Sequence, residues 1–337
     1  MAKPFATGRH GHPIGATPLF IRRALMRILI TGANGFIGQG LVQALCEQAL
    51  PITEIIANDI NLSGLSTGDA RLRRVTGPLD QPDILAQLLA QPLDWVFHLA
   101  GITSKRAEED LALGLAVNVH SSMALLAGLA AQQQPARLVF ASSIGVFGVP
   151  LPARVDDDTP IAPTMSYGVQ KRMIELLVAD YARRGLVDGR TVRLPGVLAR
   201  PQQSIRPLSA FSSDILHCLA AGQRFTCPVS PQSTNWLLSR PCCVAQLIHA
   251  LQSDAAHWPS SRAVTLPAQR LTTNALVQAL EQHLGRPLAH LVDWAPVPEI
   301  EAQFANWPEL DTPAANALGF VHDGSGQQLV AAALQTA

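Results

Sequence analysis

At 337 residues the chain is long enough for one large α/β domain with a smaller unit attached. Its formal net charge is zero and only 15% of its residues are charged, so it lacks the basic footprint of a nucleic-acid or anionic-membrane binder. Its longest apolar run, Leu111 to Ala131, is interrupted by Asn118, His120, Ser121 and Ser122, which argues against a membrane span. Five cysteines show neither metal-ligand spacing nor a disulfide pattern, so a reducing, cytoplasmic setting is expected, with Cys242 and Cys243 as packing residues.

Residues 1–25 carry basic and His residues between Lys3 and Arg23, no acid, and no apolar core of a secretory signal. They are expected to be a disordered or non-native leader outside the fold. Met26 opens on a first strand, Arg27–Thr31, followed by a helix from Ile37 to Ala49. Gly32, Gly35 and Gly38 fall between them at the spacing G-x-x-G-x-x-G. Gly32 permits a tight turn, Gly35 lets backbone approach a pyrophosphate, and Gly38 lets the helix pack on the strand. The helix N-terminus, at Phe36 and Ile37, offers unpaired N–H groups to phosphates. A glycine triplet alone is a common turn, and its place between strand and helix is what makes it a dinucleotide signature.

A second strand, Glu54–Asp59, ends in an acid about 20 residues past the glycines. A carboxylate at Asp59 accepts the hydroxyls of an adenosine ribose and repels a 2′-phosphate. No Lys or Arg between Asp59 and Arg71 could hold such a phosphate, so NAD is expected rather than NADP. Further strands are expected at Leu72–Thr76, Trp95–Ala100, Ala136–Ser143 and Arg190–Pro195, with helices over Pro82–Leu89, Leu111–Gln132 and Met165–Arg184. This alternation predicts an α/β fold, a Rossmann-type doubly wound parallel sheet over residues 26–199. Beyond Ala199, prolines at 201, 207, 228, 231 and 241 break the pattern. Residues 200–337 are therefore read mostly as a smaller, partly discontinuous substrate lobe, with a segment near 236–265 as the candidate to return to the first domain.

Tyr167-Gly-Val-Gln-Lys171 places a phenol and an ammonium on one helix face. A phenol has a reference pKa near ~10, and an adjacent ammonium, together with the positive nicotinamide ring of bound NAD, is expected to lower it so that the group can take an alcohol proton. Tyr167 is one of two tyrosines, and Ser142-Ser143 ends a strand where strand termini face a cofactor crevice. His98 is expected to be structural rather than a base.

Thr31-Gly-Ala-Asn-Gly-Phe-Ile-Gly38, Phe97-His-Leu-Ala100, Ser142-Ser-Ile-Gly-Val-Phe-Gly148 and Tyr167-x-x-x-Lys171 together resemble the extended short-chain dehydrogenase/reductase family, also called the NAD-dependent epimerase/dehydratase family. The resemblance covers Met26 to about Arg200. It implies a catalytic set of Ser143, Tyr167 and Lys171, with Asn118 bonding backbone and supporting a proton-relay water. It implies NAD contacts from Gly32, Gly35, Phe36, Ile37, Gly38, Asp59, Leu79, Leu99, Ala100, Gly101, Tyr167, Lys171, Pro195 and Val197. It also implies substrate contacts from Ser104, Ser143 and Tyr167, no metal, and a homodimer. Where the family has Gly-Asp-Leu near the adenine, this chain has Gly77-Pro78-Leu79, so that side-chain contact is absent.

Asp156–Tyr167, Leu176–Gly185, Val187–Pro195, Cys227-Pro-Val-Ser-Pro231 and Trp236-Leu-Leu-Ser-Arg-Pro241 resemble, more narrowly, the D-erythronate dehydrogenase subgroup. That implies NAD-dependent oxidation of the C2 hydroxyl of a small sugar acid to the 2-keto acid. The chain departs from the subgroup at Gln202–Ile205 and at His217-Cys218. A carboxylate substrate needs a cation. Arg200 could serve the pyrophosphate and Arg224 a surface turn, which leaves Arg206 and Arg240 as candidate anchors. A nucleotide-sugar epimerase or dehydratase that retains NAD is the alternative enzyme, and an NAD-sensing module the non-catalytic one.

Overall fold

The computed structural model describes residues 26–201 and 210–335. The leader at 1–25, the 202–205 departure and Arg206 lie outside the described residues.

β1 (Met26–Thr31) runs through the glycine turn into α1 (Phe36–Glu47), β2 (Ile52–Asp59) and β3 (Leu72–Thr76). α2 (Pro82–Leu88), with proline in its first turn, leads to β4 (Trp95–His98). Next come α3 (Ser104–Glu109), α4 (Leu111–Gly114), a π-helical turn (Leu115–His120), α5 (Ser121–Ala130) and β5 (Arg137–Ser143). β6 (Arg154–Val155), α6 (Ser166–Arg183), β7 (Asp188–Leu194) and β8 (Gly196–Val197) follow. The chain continues through α7 (Phe211–Ala220), β9 (Phe225–Cys227), β10 (Thr234–Leu238), α8 (Arg240–Gln252) and β11 (Ala263–Thr265). It closes with β12 (Gln269–Thr272), α9 (Thr273–Leu284), β13 (Val292–Trp294), α10 (Pro298–Phe304), β14 (Glu309–Leu310), α11 (Pro313–Ala317) and α12 (Gly326–Leu334).

Seven parallel strands form the main sheet in the order β11-β7-β5-β4-β1-β2-β3. Strand order reverses beside β1, so the crevice that binds ligands in such sheets opens between the C-terminal ends of β1 and β4. The strands are apolar on both faces because helices cover both. Ile28 and Ile30 enter a core with Leu41, Val42 and Leu45 of α1 and Leu247, Ile248 and Leu251 of α8. Leu29, between them, faces Leu125 and Leu129 of α5 and Ile174 and Val178 of α6. Alternation of period two thus divides one strand between two layers. A second core joins Leu198, Phe211, Ile215 and Leu219 to Leu276, Leu280, Leu329 and Val330.

The helix expected over Leu111–Gln132 differs from expectation. A separate α3 precedes it, and Leu115–His120 is wound as a π turn. The run Leu111–Ala130 is by length and composition apolar enough to cross a membrane, yet its Val119, Leu125, Leu126 and Leu129 are buried in the core. The strand expected to reach Ala100 stops at His98, because Leu99 and Ala100 turn to close against the glycine loop. α8 packs on α1, and β11 pairs with β7 as an edge of the main sheet. Cys243 is buried in the first core and Cys242 packs beside it; burial pushes both thiols up, that of Cys242 to about 12.

Candidate active site

The glycine turn is closed so tightly that side chains are excluded from it. Gly32 has φ 71°, and a Cβ there would stand 2.7 Å from the Ala100 amide nitrogen. A Cβ at Gly38 would stand 2.2 Å from the Gly32 carbonyl oxygen, and one at Gly35 3.2 Å from the same atom. No side chain caps the first turn of α1, so the N–H groups of Phe36 and Ile37 remain available to an anion. Asp59 ends β2 with Oδ2 accepting from the Asn34 amide at 2.9 Å, which fixes its carboxylate against the loop. Asn58 donates to the Val75 and Gly77 carbonyls at 3.0 Å each, holding the turn that leads to buried Leu79. Pro195 and Val197 form the passage from β7 into β8, where Val197 pairs with Leu238. A narrow backbone cradle, an uncapped helix start and an acid beyond it fit a dinucleotide such as NAD.

Ser143, Tyr167 and Lys171 come together beside this cradle. Ser143 is the last residue of β5, and its Oγ accepts from the Gly145 amide at 3.1 Å. Gly145 lies between the two hydroxyl-bearing side chains: a Cβ there would be 3.4 Å from Ser143 Oγ and 3.7 Å from Tyr167 Cδ1. Gly168 lets α6 approach this loop, since a Cβ on it would stand 2.3 Å from the Gly145 carbonyl oxygen. Lys171, one turn on, donates from Nζ to the Ala141 carbonyl at 2.8 Å and lies 4.7 Å from the Phe140 ring centroid. Burial pulls its ammonium down to about 8, against an opposing pull from Glu175.

Asn118 sits in the π turn, an irregularity often found at functional sites. Its Oδ1 accepts from the Ile102 amide at 2.9 Å, and its Nδ2 donates to the Ile102 carbonyl at 3.2 Å and to Gln170 Oε1 at 2.7 Å. These bonds brace Gly101, where an added Cβ would meet both Asn118 Oδ1 at 2.9 Å and Lys171 Nζ at 3.5 Å. Both ring nitrogens of buried His98 are engaged, with Thr31 at 2.7 Å and Ser122 at 2.8 Å. Burial, and then the Lys171 charge, push that imidazole down to about 3, which suits a neutral structural residue.

In the protein by itself, the electrostatics of Tyr167 run opposite to the shift expected with NAD bound. Burial pushes the phenol above its ordinary value, while the Ser143 hydroxyl and the Arg200 guanidinium pull it back. Lys171 Nζ is turned to Ala141 and lies 5.7 Å from the Tyr167 ring centroid. A group that spacing alone passed over lies one turn beyond Lys171. Glu175, buried, accepts from Ser142 at 2.6 Å, from Arg193 at 3.0 Å through two nitrogens, and from Arg172 at 2.9 Å. Tyr167, Lys171 and Glu175 share one face at steps of four, a signal that could have located this brace.

The candidate cations are also redistributed. Arg240 opens α8 against α1: its guanidinium lies over the Phe36 ring at 4.9 Å, and its side chain covers Gly40. This sets it on the glycine-motif helix, within the 236–265 segment, because the apolar stripe of α8 draws that helix onto the main sheet. Arg224 is exposed and pairs with Asp293 at 3.2 Å. Ser104 opens α3 and is half-buried.

The family model "NAD dependent epimerase/dehydratase family" matches residues 28–236. The chain is 36% identical to the D-erythronate dehydrogenase of Cupriavidus necator, over 93% of this chain and 99% of that one. It is 34% identical to the D-erythronate dehydrogenase of Haemophilus influenzae, over 90% and 98% respectively. The crystal structure of a nucleoside-diphosphate-sugar epimerase from Agrobacterium tumefaciens superposes with a TM-score of 0.82 at 30% identity, covering 95% of this chain and 96% of the other.

Proposed function

We infer the reaction from the premise that this chain belongs to the NAD dependent epimerase/dehydratase family, as an extended short-chain dehydrogenase/reductase with NAD as cofactor. We propose that this dehydrogenase oxidises the C2 hydroxyl of a small sugar acid, a D-erythronate-like aldonate, to the 2-keto acid. The observation that carries the reading is the convergence of Ser143 and Tyr167 across Gly145, with Lys171 behind them and the glycine cradle alongside. The two D-erythronate dehydrogenases support the acid substrate.

In this reading Ser143 Oγ, held by the Gly145 amide, orients the substrate hydroxyl, and Tyr167 takes its proton as general base. NAD, when bound, supplies the hydride acceptor. Lys171 keeps a positive charge at the back of the cleft, with the Ala141 carbonyl fixing its direction. Asn118 and Gln170 hold the Gly101–Ile102 turn against that lysine, and Asp59 faces the adenosine ribose. A homodimer in the cytoplasm completes the reading. Exposed Leu111 and Met123, with Val169, Met173 and Leu176 of α6, give an apolar face for a second copy, and the unbridged cysteines fit a reducing compartment.

A screen of aldonic acids with NAD, following NADH formation, tests both substrate class and cofactor. D-erythronate-like acids should turn over with at least a ten-fold preference for NAD over NADP in kcat/KM, about 1.4 kcal/mol. Equal rates with both cofactors would remove Asp59 from its role. The neighbour described as an epimerase favours a second reading with the same three side chains. No NADH from any aldonate, together with NAD that stays bound through purification, would promote it.

A further inference from the structure

We propose that Arg200 is the anion subsite of this cleft and receives the C1 carboxylate of the substrate, so that the carbon next to the carboxylate is presented to Tyr167. The inference rests on the sugar-acid reading and specifies its substrate class: 2-hydroxy carboxylates, with the reacting hydroxyl adjacent to the acid.

Arg200 follows β8 and is held in an unusual way. The residue before it, buried Ala199, has φ 59°, a left-handed conformation that a non-glycine residue keeps only where its surroundings enforce it. The enforcement comes from α7. The Arg200 amide donates to Ser213 Oγ at 3.3 Å, and the His217 ring donates from Nε2 to the Arg200 carbonyl at 2.9 Å. Residues 213 and 217 are one turn apart, so α7 clamps both backbone polar groups of Arg200. His217 is one of the positions at which the chain departs from the subgroup pattern.

The fixed backbone restricts where the guanidinium can reach. Arg200 is half-buried, and its charge reaches the Tyr167 phenol. Elsewhere the chain pairs buried and half-buried arginines with acids: Arg193 with Glu175, Arg190 with Asp188, and Arg27 with Glu54. All Asp and Glu side chains belong to the described residues, and among the described residues none forms an ion pair with Arg200. A half-buried guanidinium without a partner anion carries a desolvation cost, and it stays protonated at any working pH. A carboxylate arriving with the substrate matches its two-pronged donor geometry. A neutral sugar would leave the cation unpaired, so selection for acids is built into the cleft.

The test compares wild type, Arg200→Met and Arg200→Lys on an aldonate and on its neutral C1 amide. Turnover gives KM and kcat, and calorimetry in a Tyr167→Phe background with NAD present gives binding without reaction. Arg200→Met should raise the aldonate KM and Kd about ten- to hundred-fold, the loss of one charge-assisted pair, with a smaller change in kcat. The amide and NAD should bind as before, and Arg200→Lys should recover part of the loss. Unchanged NAD affinity and melting temperature will establish that the variants are folded. Wild-type discrimination between acid and amide in Arg200→Met would overturn the assignment, as would a loss confined to NAD affinity, which would move Arg200 to the pyrophosphate. A wild-type enzyme that oxidises no aldonate overturns the parent reading as well, so the two failures are distinguishable.

Discussion

Replacing Tyr167 with Phe is expected to abolish turnover, by at least about a hundred-fold, while NAD affinity stays nearly unchanged. The substitution removes one oxygen from a side chain already set by its neighbours. Gly145 and Gly168 fix the approach of α6 to the β5 end, so the ring keeps its place and only the proton acceptor is lost. The pH profile should carry the same signature. Burial favours the neutral phenol, and Ser143 and Arg200 oppose it only in part, so oxidation should accelerate as pH rises and the base deprotonates. Activity in Tyr167→Phe above a few percent of wild type, or a wild-type rate that falls with rising pH from neutrality, would assign the base elsewhere.

Lys171→Met is expected to remove activity and yet stabilise the fold at neutral pH. Burial of Lys171 lowers its pKa from 10.5 to about 8, so the folded protein binds its proton less tightly than the unfolded chain does. For such a base the cost to stability is fully present below about pH 8 and disappears as pH rises toward 10.5. A shift of this size corresponds to a cost on the order of 3 kcal/mol, from which the lost bond to Ala141 subtracts. Denaturant unfolding of both proteins near neutral pH and again above about pH 10.5 checks this. Methionine should win at the lower pH and lose its advantage at the higher. A destabilised variant at neutral pH would mean that the ammonium contributes stability through Ala141, Phe140 and Glu175. A buried charge kept at a net cost is the mark of a side chain retained for function.

What could be read in advance, and what could not, follows from how local each signal is. The glycine motif was legible because a strand, three glycines at fixed spacing and a helix start are contiguous, and contiguous residues fold as they are written. Tyr167 and Lys171 were legible because helix periodicity links them. The same periodicity extends to Glu175, which spacing of a pair alone does not reach. The π turn at Asn118 was not legible, since one extra residue in a single turn barely shifts the helical pattern around it. The helix that carries Arg240 was legible only as part of a segment returning to the first domain, because prolines obscured its start, although Leu247, Ile248 and Leu251 draw an apolar stripe suited to the sheet. The clamp on Arg200, which the sequence offered only to the pyrophosphate, was not legible, because an alanine at 199 gives no sign that its backbone will be left-handed.

The central claim is that hydride leaves C2 of a sugar acid. The most direct measurement follows deuterium from D-erythronate labelled at C2, with NAD as acceptor and both products examined by mass spectrometry. Deuterated NADH, an unlabelled 2-keto acid and a slowed rate are the predicted result. Unlabelled NADH with deuterium retained in the oxidised acid would place the oxidation at another carbon and contradict the account.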